Sequence, residues 1–294
     1  MRTIDGRAHA AAISVEVAAN VARIRAAGAV PRLAVVVPNR DEATAWYVRN
    51  IGRAAARVGI ECMVDDVPGA DRATIIGRLD QLSADPAVHG IICQTPLPAG
   101  VTLSSVGERI DPAKDVDGAN PTSLGRLAAG IAAYAPATAA AVVEILRRED
   151  IEMRGANVVV IGRSTVVGKP AALLLVAADA TVTVCHSRTK RLADVAAGAD
   201  ILVVAIGRPG IVTADYVKRG ATVIDVGTNP TPEGGLVGDV DPNVAALAGA
   251  LTPVPGGVGP VTTALLLSAT ATAADLATFA RSTAPQEPIT RHAT

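Results

Sequence analysis

Short apolar runs rich in valine and isoleucine recur along the chain, separated by longer stretches in which charged residues are spread among alanine and leucine. Such runs are typical of strands buried on both faces of a parallel sheet. The predicted strands cover residues 33–37, 60–64, 88–94, 158–161, 180–185, 200–206 and 221–226. The predicted helices cover residues 5–27, 42–58, 71–83, 138–148, 168–178 and 262–280. This alternation predicts an α/β fold.

Length and composition narrow the range of functions. With 294 residues, of which 50% are hydrophobic, the chain is long enough for two domains with their own cores. A formal net charge of −1 gives no overall attraction to nucleic acid or acidic membranes, and an aromatic content of 2% argues against base stacking. We therefore expect neither a nucleic-acid partner nor a membrane partner.

The three cysteines, Cys62, Cys93 and Cys185, are too scattered for a disulfide framework or a zinc site. They predict a protein without a metal, in a reducing cytoplasm. The N-terminus lacks the apolar segment of a signal peptide, and we expect no uncharged apolar run of membrane-spanning length.

A glycine-bearing turn follows the predicted strand 158–161. It begins Gly162, Arg163, Ser164, and Gly168 then opens an apolar helix. This order leaves backbone N–H groups and the positive end of a helix dipole available to a phosphate. The spacing departs from the usual G-x-G-x-x-G fingerprint, so the glycines could instead serve backbone geometry alone.

The segment after the next predicted strand bears on the choice of cofactor. Residues 186–189 are His-Ser-Arg-Thr, and hydroxyl and basic groups at this point favour a ribose 2′-phosphate, hence NADP over NAD. A polar loop with a solvated arginine is the alternative.

Two further loops carry candidate polar groups. Gln94 ends a buried strand and precedes a proline-containing loop, where ligands of open α/β sheets bind, although prolines can also simply cap a strand. Residues 114–118, Lys-Asp-Val-Asp-Gly, could orient an amine-bearing heterocycle or could form an Asx-rich turn.

Four motifs together resemble the bifunctional methylenetetrahydrofolate dehydrogenase/methenyltetrahydrofolate cyclohydrolase family of the bacterial FolD type. They are QTPLP (94–98), KDVDG (114–118), GRSTVVGKP (162–170) and PGGVGPVT (255–262). The resemblance implies a folate-binding catalytic α/β domain of residues 1–137, completed by a C-terminal helix at 262–281. It also implies an NAD(P)-binding Rossmann domain at 138–261, a cleft between the two domains as the active site, and a homodimer. We expect residues 282–294 to form a disordered tail.

The resemblance also implies roles for individual residues. On the substrate side, Tyr47 packs on the folate, Asp117 hydrogen-bonds the pterin, and Gln94 assists the family's catalytic lysine. The cofactor-binding positions are Gly162, Arg163, Ser164, Ser187 near the 2′-phosphate and Thr228 at the nicotinamide. The expected cleft-lining positions are Pro96, Gly257, Val258, Gly259 and Pro260.

This sequence departs from the family where the lysine belongs. The family pattern Tyr-x-x-x-Lys is here Tyr47-Val-Arg-Asn-Ile51, and an isoleucine cannot transfer a proton. Arg49 and Arg53 are close in sequence, but arginine stays protonated and is a poor base. Further departures on the substrate side are Thr44, Thr95, Ala119 and Ala139.

The leading hypothesis is an NADP-dependent oxidoreductase of one-carbon metabolism, with NAD possible, that converts 5,10-methylenetetrahydrofolate to 5,10-methenyltetrahydrofolate. Hydride transfer depends mainly on the cofactor and on positioning, so losing the lysine should impair the cyclohydrolase more than the dehydrogenase. The alternatives are an NADP oxidoreductase with a changed substrate and a non-catalytic protein that binds NADP and folate.

Overall fold

The computed structural model describes residues 1–39 and 41–279, and it divides most of the strands between two parallel sheets. The strands are β1 (Arg2–Thr3), β2 (Arg32–Val37), β3 (Glu61–Asp66), β4 (Gly90–Cys93), β5 (Asn157–Ile161), β6 (Thr181–Cys185), β7 (Ile201–Val204), β8 (Thr222–Asp225), β9 (Asn229–Pro230), β10 (Leu236–Val237) and β11 (Ala250–Leu251). The smaller sheet has the order β3-β2-β4, and the larger has the order β1-β11-β8-β7-β5-β6. The predicted α/β class is confirmed.

The helices connect these strands as parallel sheets require. They are α1 (Gly6–Ala26), α2 (Glu42–Val58), α3 (Arg72–Ala84), α4 (Leu103–Gly107), α5 (Pro121–Ala128), α6 (Ala137–Arg148), α7 (Gly168–Ala177), α8 (Leu192–Ala196) and α9 (Val258–Phe279). Short 3₁₀ turns lie at Ala214–Tyr216 and Pro242–Ala246.

Local sequence signals explain where α2 begins and ends. The Asp41 carboxylate caps the helix by accepting a hydrogen bond from the Thr44 N–H at 2.7 Å. The helix stops at Gly59, whose φ of 81° is the left-handed conformation that favours glycine. This helix carries Tyr47 and Ile51 on one face.

Both ends of the described chain tie the two sheets together. β1 pairs with β11 at the edge of the larger sheet, and α1 then packs along α9. α9 also packs against α6 and contacts β2 and β4 of the smaller sheet. The domain boundaries, and the assignment of this final helix to the first domain, stay predictions.

Two details differ from the sequence-based expectations, and a third expectation cannot be compared with the structure. α9 begins at Val258, four residues before the predicted start, because the proline at position 260 falls in the first helical turn, where its missing N–H is tolerated. An antiparallel hairpin of β9 and β10 was not predicted, because its strands have only two residues each. The predicted tail, residues 282–294, and the last residues of the predicted final helix lie outside the described residues.

One helix, α9, bears on the expectation of no uncharged apolar run of membrane-spanning length, and it contains a charged residue, Asp275. α9 is 22 residues long with a mean hydropathy of 1.2, so it is long and apolar enough to cross a membrane by length and composition. We attribute its apolar character to core packing, because its buried side chains lie in the cluster that includes Val17 of α1 and Ile145 of α6.

Candidate functional site

The glycine-bearing turn lies at the carboxyl end of β5, where the larger sheet changes direction. β5 lies between β6 and β7, and helix α7 connects β5 to β6. Ligands of doubly wound sheets bind at this switch point. Gly162 has a φ of 133°, and a Cβ there would lie 2.2 Å from the carbonyl oxygen of Ala205. A Cβ at Gly168 would lie 2.2 Å from the Gly162 oxygen. Only glycine allows this close packing.

The turn itself fits an anion. Ser164 Oγ accepts hydrogen bonds from the N–H groups of Val167 at 3.1 Å and Gly168 at 3.4 Å, and so fixes the start of α7. Among the described residues, no acceptor lies within hydrogen-bonding distance of the backbone N–H groups of residues 163–166. Arg163 and Ser164 are exposed beside them. Free backbone donors next to an arginine at a helix start are what a phosphate needs.

A tight turn at the end of the neighbouring strand β6 presents Ser187 and Arg188 to solvent. The turn is held by a hydrogen bond from the His186 N–H to Thr189 Oγ1 at 2.9 Å, and the Arg188 N–H donates to His186 Nδ1 at 3.1 Å. Ser187 and Arg163 therefore follow adjacent strands at the same edge of the sheet, as a site for the phosphates of NADP requires.

The third predicted cofactor position follows β8. Thr228 is exposed, and its neighbour Asn229 is buried. Two buried carboxylates, Asp225 and Asp239, hold the surrounding backbone in place. Neither residue is recognisable from the sequence, because carboxylates that bind backbone N–H groups leave no spacing pattern.

In the part of the molecule built around the smaller sheet, Tyr47 and Asp117 interact electrostatically. Burial raises the pKa of the Tyr47 phenol, the negative charge of Asp117 raises it further, and a hydrogen bond with the Thr263 hydroxyl of α9 lowers it. Burial and then the charge of Asp117 raise the pKa of the Cys93 thiol, at the end of β4, to about 12. Tyr47 and Cys93 are thus both within electrostatic range of Asp117, and Thr263 contacts Tyr47.

The carboxyl group of Asp117 itself has an unusual pKa. Desolvation by the surrounding protein, followed by the charge of Asp115, raises this pKa to about 7, and a hydrogen bond from the Ala137 N–H opposes the shift. No lysine or arginine in the described part of the chain acts on Asp117. This differs from the environment that a lysine at position 51 would create.

Asp115 shapes the loop that carries Asp117. It is fully buried and accepts hydrogen bonds from the Ala119 N–H at 2.8 Å, the Asn120 N–H at 3.0 Å and Ser123 Oγ at 2.6 Å. Burial nevertheless raises its pKa to about 6. Asp115 thus binds N–H groups four and five residues on, whereas the side chain of an Asx turn binds the N–H two residues on. The loop that it holds brings Asp117 within electrostatic range of Tyr47. That this motif orients a heterocycle stays a prediction.

Ile51 stands one helical turn after Tyr47 and is fully buried among apolar side chains. Gln94 follows β4 and is partly exposed, and its N–H donates to the Val36 oxygen at 2.9 Å. The peptide bond from Thr95 to Pro96 is cis. Gln94 and Pro96 therefore lie at the carboxyl edge of the smaller sheet.

The loop that opens α9 is packed against the first turn of α1. A Cβ at Gly6 would lie 1.8 Å from the Gly257 oxygen, so this contact requires a glycine. Gly257 and Val258 are buried, Gly259 is exposed and Pro260 is partly exposed. The loop's position next to Thr263 brings it towards Tyr47. The roles predicted for its residues stay predictions.

Two cavities of about 700 and 240 Å³ lie along the middle and C-terminal part of α9. They share Ala133, Tyr134 and Thr272, and neither is lined by Tyr47, Gln94 or Asp117.

A dinucleotide-type turn at the switch point of one sheet, and a polar cluster at the edge of another, define the class of two-domain NAD(P)-dependent dehydrogenases. Comparison with known proteins specifies the group. Residues 4–117 match the catalytic domain of tetrahydrofolate dehydrogenase/cyclohydrolase, and residues 136–278 match its NAD(P)-binding domain. The chain belongs to the tetrahydrofolate dehydrogenase/cyclohydrolase family, as the motifs predicted.

Individual relatives match more than nine-tenths of the chain. The bifunctional protein FolD of Parafrankia sp. (strain EAN1pec) is 61% identical over 275 residues, which are 93% of this chain and 99% of the relative. The crystal structure of FolD from Campylobacter jejuni superposes with a TM-score of 0.91 at 36% identity, covering 94% of this chain and 99% of that one. FolD of Trypanosoma brucei, solved with NADP cofactor and an inhibitor, has a TM-score of 0.87 at 39% identity, with coverages of 96% and 98%.

Proposed function

We propose that this protein oxidises 5,10-methylenetetrahydrofolate to 5,10-methenyltetrahydrofolate with NADP, and that it hydrolyses the product weakly or not at all. The observation that carries this proposal is the contrast between its two sites. The dinucleotide turn keeps its glycines, its free N–H groups and Arg163. Beside the polar cluster around Asp117, Ile51 is fully buried at the position where the pattern Tyr-x-x-x-Lys would have the family's lysine.

Each residue of the cofactor site has a proposed task. When bound, NADP accepts a hydride from the substrate. The N–H groups of the turn after Gly162 hold a phosphate, Arg163 and Ser187 hold the 2′-phosphate, Ser164 fixes the turn, and Thr228 contacts the nicotinamide half. The intact N–H groups support the assignment, and the exposed Ser187 supports NADP over NAD.

The residues of the substrate site would orient the folate. Asp117, when ionised, accepts hydrogen bonds from the pterin, and Tyr47 packs on the ring system. Gln94, Pro96 and the loop of Gly257, Val258, Gly259 and Pro260 line the cleft. The electrostatic coupling of Tyr47 and Asp117 supports a common ligand for these two residues.

The cyclohydrolase step needs a group that moves a proton or activates a water molecule. Tyr47 cannot replace the lysine as a base, because its pKa is raised, and Ile51 has no titratable group. Arg49 and Arg53 are exposed on α2, away from the buried Ile51. We therefore infer that the cyclohydrolase activity is the one that is weakened or lost.

Two assays on the purified protein test this function. The first follows NADP reduction with 5,10-methylenetetrahydrofolate, and the second follows the decay of 5,10-methenyltetrahydrofolate against the spontaneous rate. We expect activity only in the first. Activity in both assays would mean that another group replaces the lysine. Asp117→Asn should reduce the first activity, and Asp111→Asn, an exposed carboxylate before the same motif, is the control.

A changed substrate is the second candidate, and the altered substrate-side positions favour it. Thr44 is buried and lies 3.5 Å from the Thr95 oxygen, and Ala119 and Ala139 replace larger family residues. If NADP binds and neither assay gives a rate, this oxidoreductase, or a non-catalytic protein that binds NADP and folate, becomes the better hypothesis. Displacement of bound folate by candidate substrates would separate these two.

We also propose a cytoplasmic homodimer. β6 ends the larger sheet without a partner strand in the described chain, and Val176 and Val184 near this edge are 56% and 40% exposed. Such an edge needs a cover. Val184→Lys should shift the mass measured by light scattering from dimer to monomer. Val15→Lys, at a valine 71% exposed on α1, should leave the mass unchanged.

The cytoplasmic location is supported by three free cysteines, Cys62, Cys93 and Cys185, which fit a reducing compartment.

A further inference from the structure

The Asp239 carboxylate accepts hydrogen bonds from three backbone N–H groups and one side-chain amide. It is fully buried, and one oxygen, Oδ2, accepts hydrogen bonds from the N–H groups of Ile206 at 2.6 Å and Gly207 at 2.8 Å. The other oxygen, Oδ1, accepts from the Arg208 N–H and from Asn229 Nδ2, both at 2.8 Å. One carboxylate thus binds four donors and holds them in one arrangement.

These four donors come from the two loops that border the cofactor edge of the larger sheet. Residues 206–208 follow β7, and Asn229 is adjacent to Thr228 after β8. Ala205, directly before the first of these loops, has its carbonyl oxygen against Gly162 of the dinucleotide turn. Asp239 therefore connects the loop beside the phosphate turn to the segment of the proposed nicotinamide contact.

A second carboxylate holds Asp239 in turn. Asp225, at the end of β8, accepts hydrogen bonds from the N–H groups of Gly227 at 2.9 Å, Asp239 at 3.0 Å and Val240 at 3.0 Å. The space allows no side chain at the neighbouring glycines. A Cβ at Gly238 would lie 1.8 Å from Asp225 Oδ2, and one at Gly227 would lie 2.4 Å from the Asp239 carboxylate. The arrangement is rigid because each carboxylate is enclosed by backbone.

We propose that Asp239 is a positioning residue for the nicotinamide half of NADP, which it serves by holding the 206–208 loop and, through Asn229, the segment that carries Thr228. This rests on the proposed function in one respect, the assignment of Thr228 to the nicotinamide. The role differs from general stability, because the loops it holds lie at the cofactor edge only. Small displacements of positioning groups reduce the rate of hydride transfer and the affinity for the cofactor.

The test compares two carboxylates of the same sheet. Asp239→Asn places an amide against at least one N–H donor, whereas Asp200→Asn changes a carboxylate that binds the Asn157 N–H at 2.9 Å at the opposite edge. NADPH binding is measured by its fluorescence, and folding by circular dichroism. We expect Asp239→Asn to weaken NADPH binding and to raise the KM for NADP about tenfold, with less than a twofold change in the folate KM. Asp200→Asn should change neither. Equal NADPH affinities in the two variants and the wild type would overturn the proposal.

A milder variant covers the case in which Asp239→Asn does not fold. Asn229→Ala removes one of the four donors to Asp239 and leaves Thr228 in place. We expect a threefold or greater loss of NADPH affinity together with faster amide hydrogen exchange at residues 206–208. Unchanged affinity and exchange would contradict the proposal. NADPH binding needs no turnover, so failure of the proposed folate reaction would be seen separately, as absent activity in a wild type that still binds NADPH.

Discussion

Tyr47 and Ile51 lie one turn apart on the same face of α2, and Ile51 is fully buried in the apolar core beneath the polar cluster. A side chain at position 51 that could transfer a proton would reach the polar cluster around Asp117, but the residue there is aliphatic. The aliphatic side chain also explains why no cation acts on the carboxyl group of Asp117. Asp117 is distant from Tyr47 in the sequence, but the two interact in the folded chain.

Ile51→Lys should give the protein cyclohydrolase activity. The new ammonium group enters an apolar site beside Asp117, so we expect a loss of about 2 kcal/mol in the free energy of unfolding, reduced by pairing with that carboxylate. The decay of 5,10-methenyltetrahydrofolate, measured against the wild type, should accelerate. Ile51→Met, of similar volume and uncharged, is the control. A folded lysine variant with no gain at all would show that the missing lysine is not the main defect.

The sheets and most helices could be predicted from the sequence, because valine-rich strands such as β5 and amphipathic or alanine-rich helices have strong local patterns. The helix α2 is bounded by a capping aspartate and a left-handed glycine, and its predicted bounds agree with the structure. The hairpin of β9 and β10 could not be predicted, because it depends on contacts between residues rather than on a local period.

The candidate site, like the fold, could be predicted from the sequence only in part. The turn at Gly162 was visible as a motif. The role of Asp239 as a hydrogen-bond acceptor was not, because its donors lie about 30 residues earlier in the chain and at Asn229. Thr263 likewise carries no signal, because its contact with Tyr47 exists only once α9 packs beside α2. Long-range hydrogen bonds of this kind follow from the fold, and one sequence does not contain them.

Asp117 should make both stability and folate binding depend on pH. Its folded pKa of about 7 is above the ordinary value of 3.8, so between these values the folded protein holds a proton that the unfolded chain has released. Its contribution to stability is therefore complete at low pH and is lost as the pH rises through about 7. The advantage of Asp117→Asn over the wild type in thermal unfolding should therefore be smaller near pH 5 than at pH 8, and the difference between the two pH values should be on the order of 1 kcal/mol after allowing for exposure to water.

Folate binding should show the opposite trend, because only the ionised carboxylate accepts two hydrogen bonds from pterin N–H groups. The KM of the wild type for 5,10-methylenetetrahydrofolate should fall as the pH is raised from 6 to 8. The KM of Asp117→Asn should be higher at both values and flat between them. A wild-type KM that is independent of pH would argue against contact between Asp117 and the pterin.

Ser123→Ala should loosen the loop that carries Asp117. Ser123 Oγ donates to the buried Asp115 at 2.6 Å, and hydrogen bonds to charged groups contribute roughly 1.5–3 kcal/mol. We expect a loss of that size in the free energy of unfolding by urea. We also expect a higher folate KM with an unchanged KM for NADP. Thr122→Ala changes an exposed residue of the same helix and should have little effect. Equal stability of the two variants would show that the hydrogen bond from Ser123 to Asp115 does not stabilise this loop.

Ser187→Asp should reverse the preference between NADP and NAD. The side chain of Ser187 is exposed at the end of β6, next to the turn that carries Arg163, so a carboxylate there would repel a 2′-phosphate and accept a hydrogen bond from a free 2′-hydroxyl. We expect kcat/KM for NADP to fall by about 100-fold, or roughly 2.7 kcal/mol, while kcat/KM for NAD rises or stays constant. Thr181→Asp adds the same charge at the other, exposed end of this strand and separates a local contact from a general charge effect. If both variants lose NADP activity equally, the 2′-phosphate lies elsewhere, and Arg188 with its neighbours would no longer explain cofactor choice.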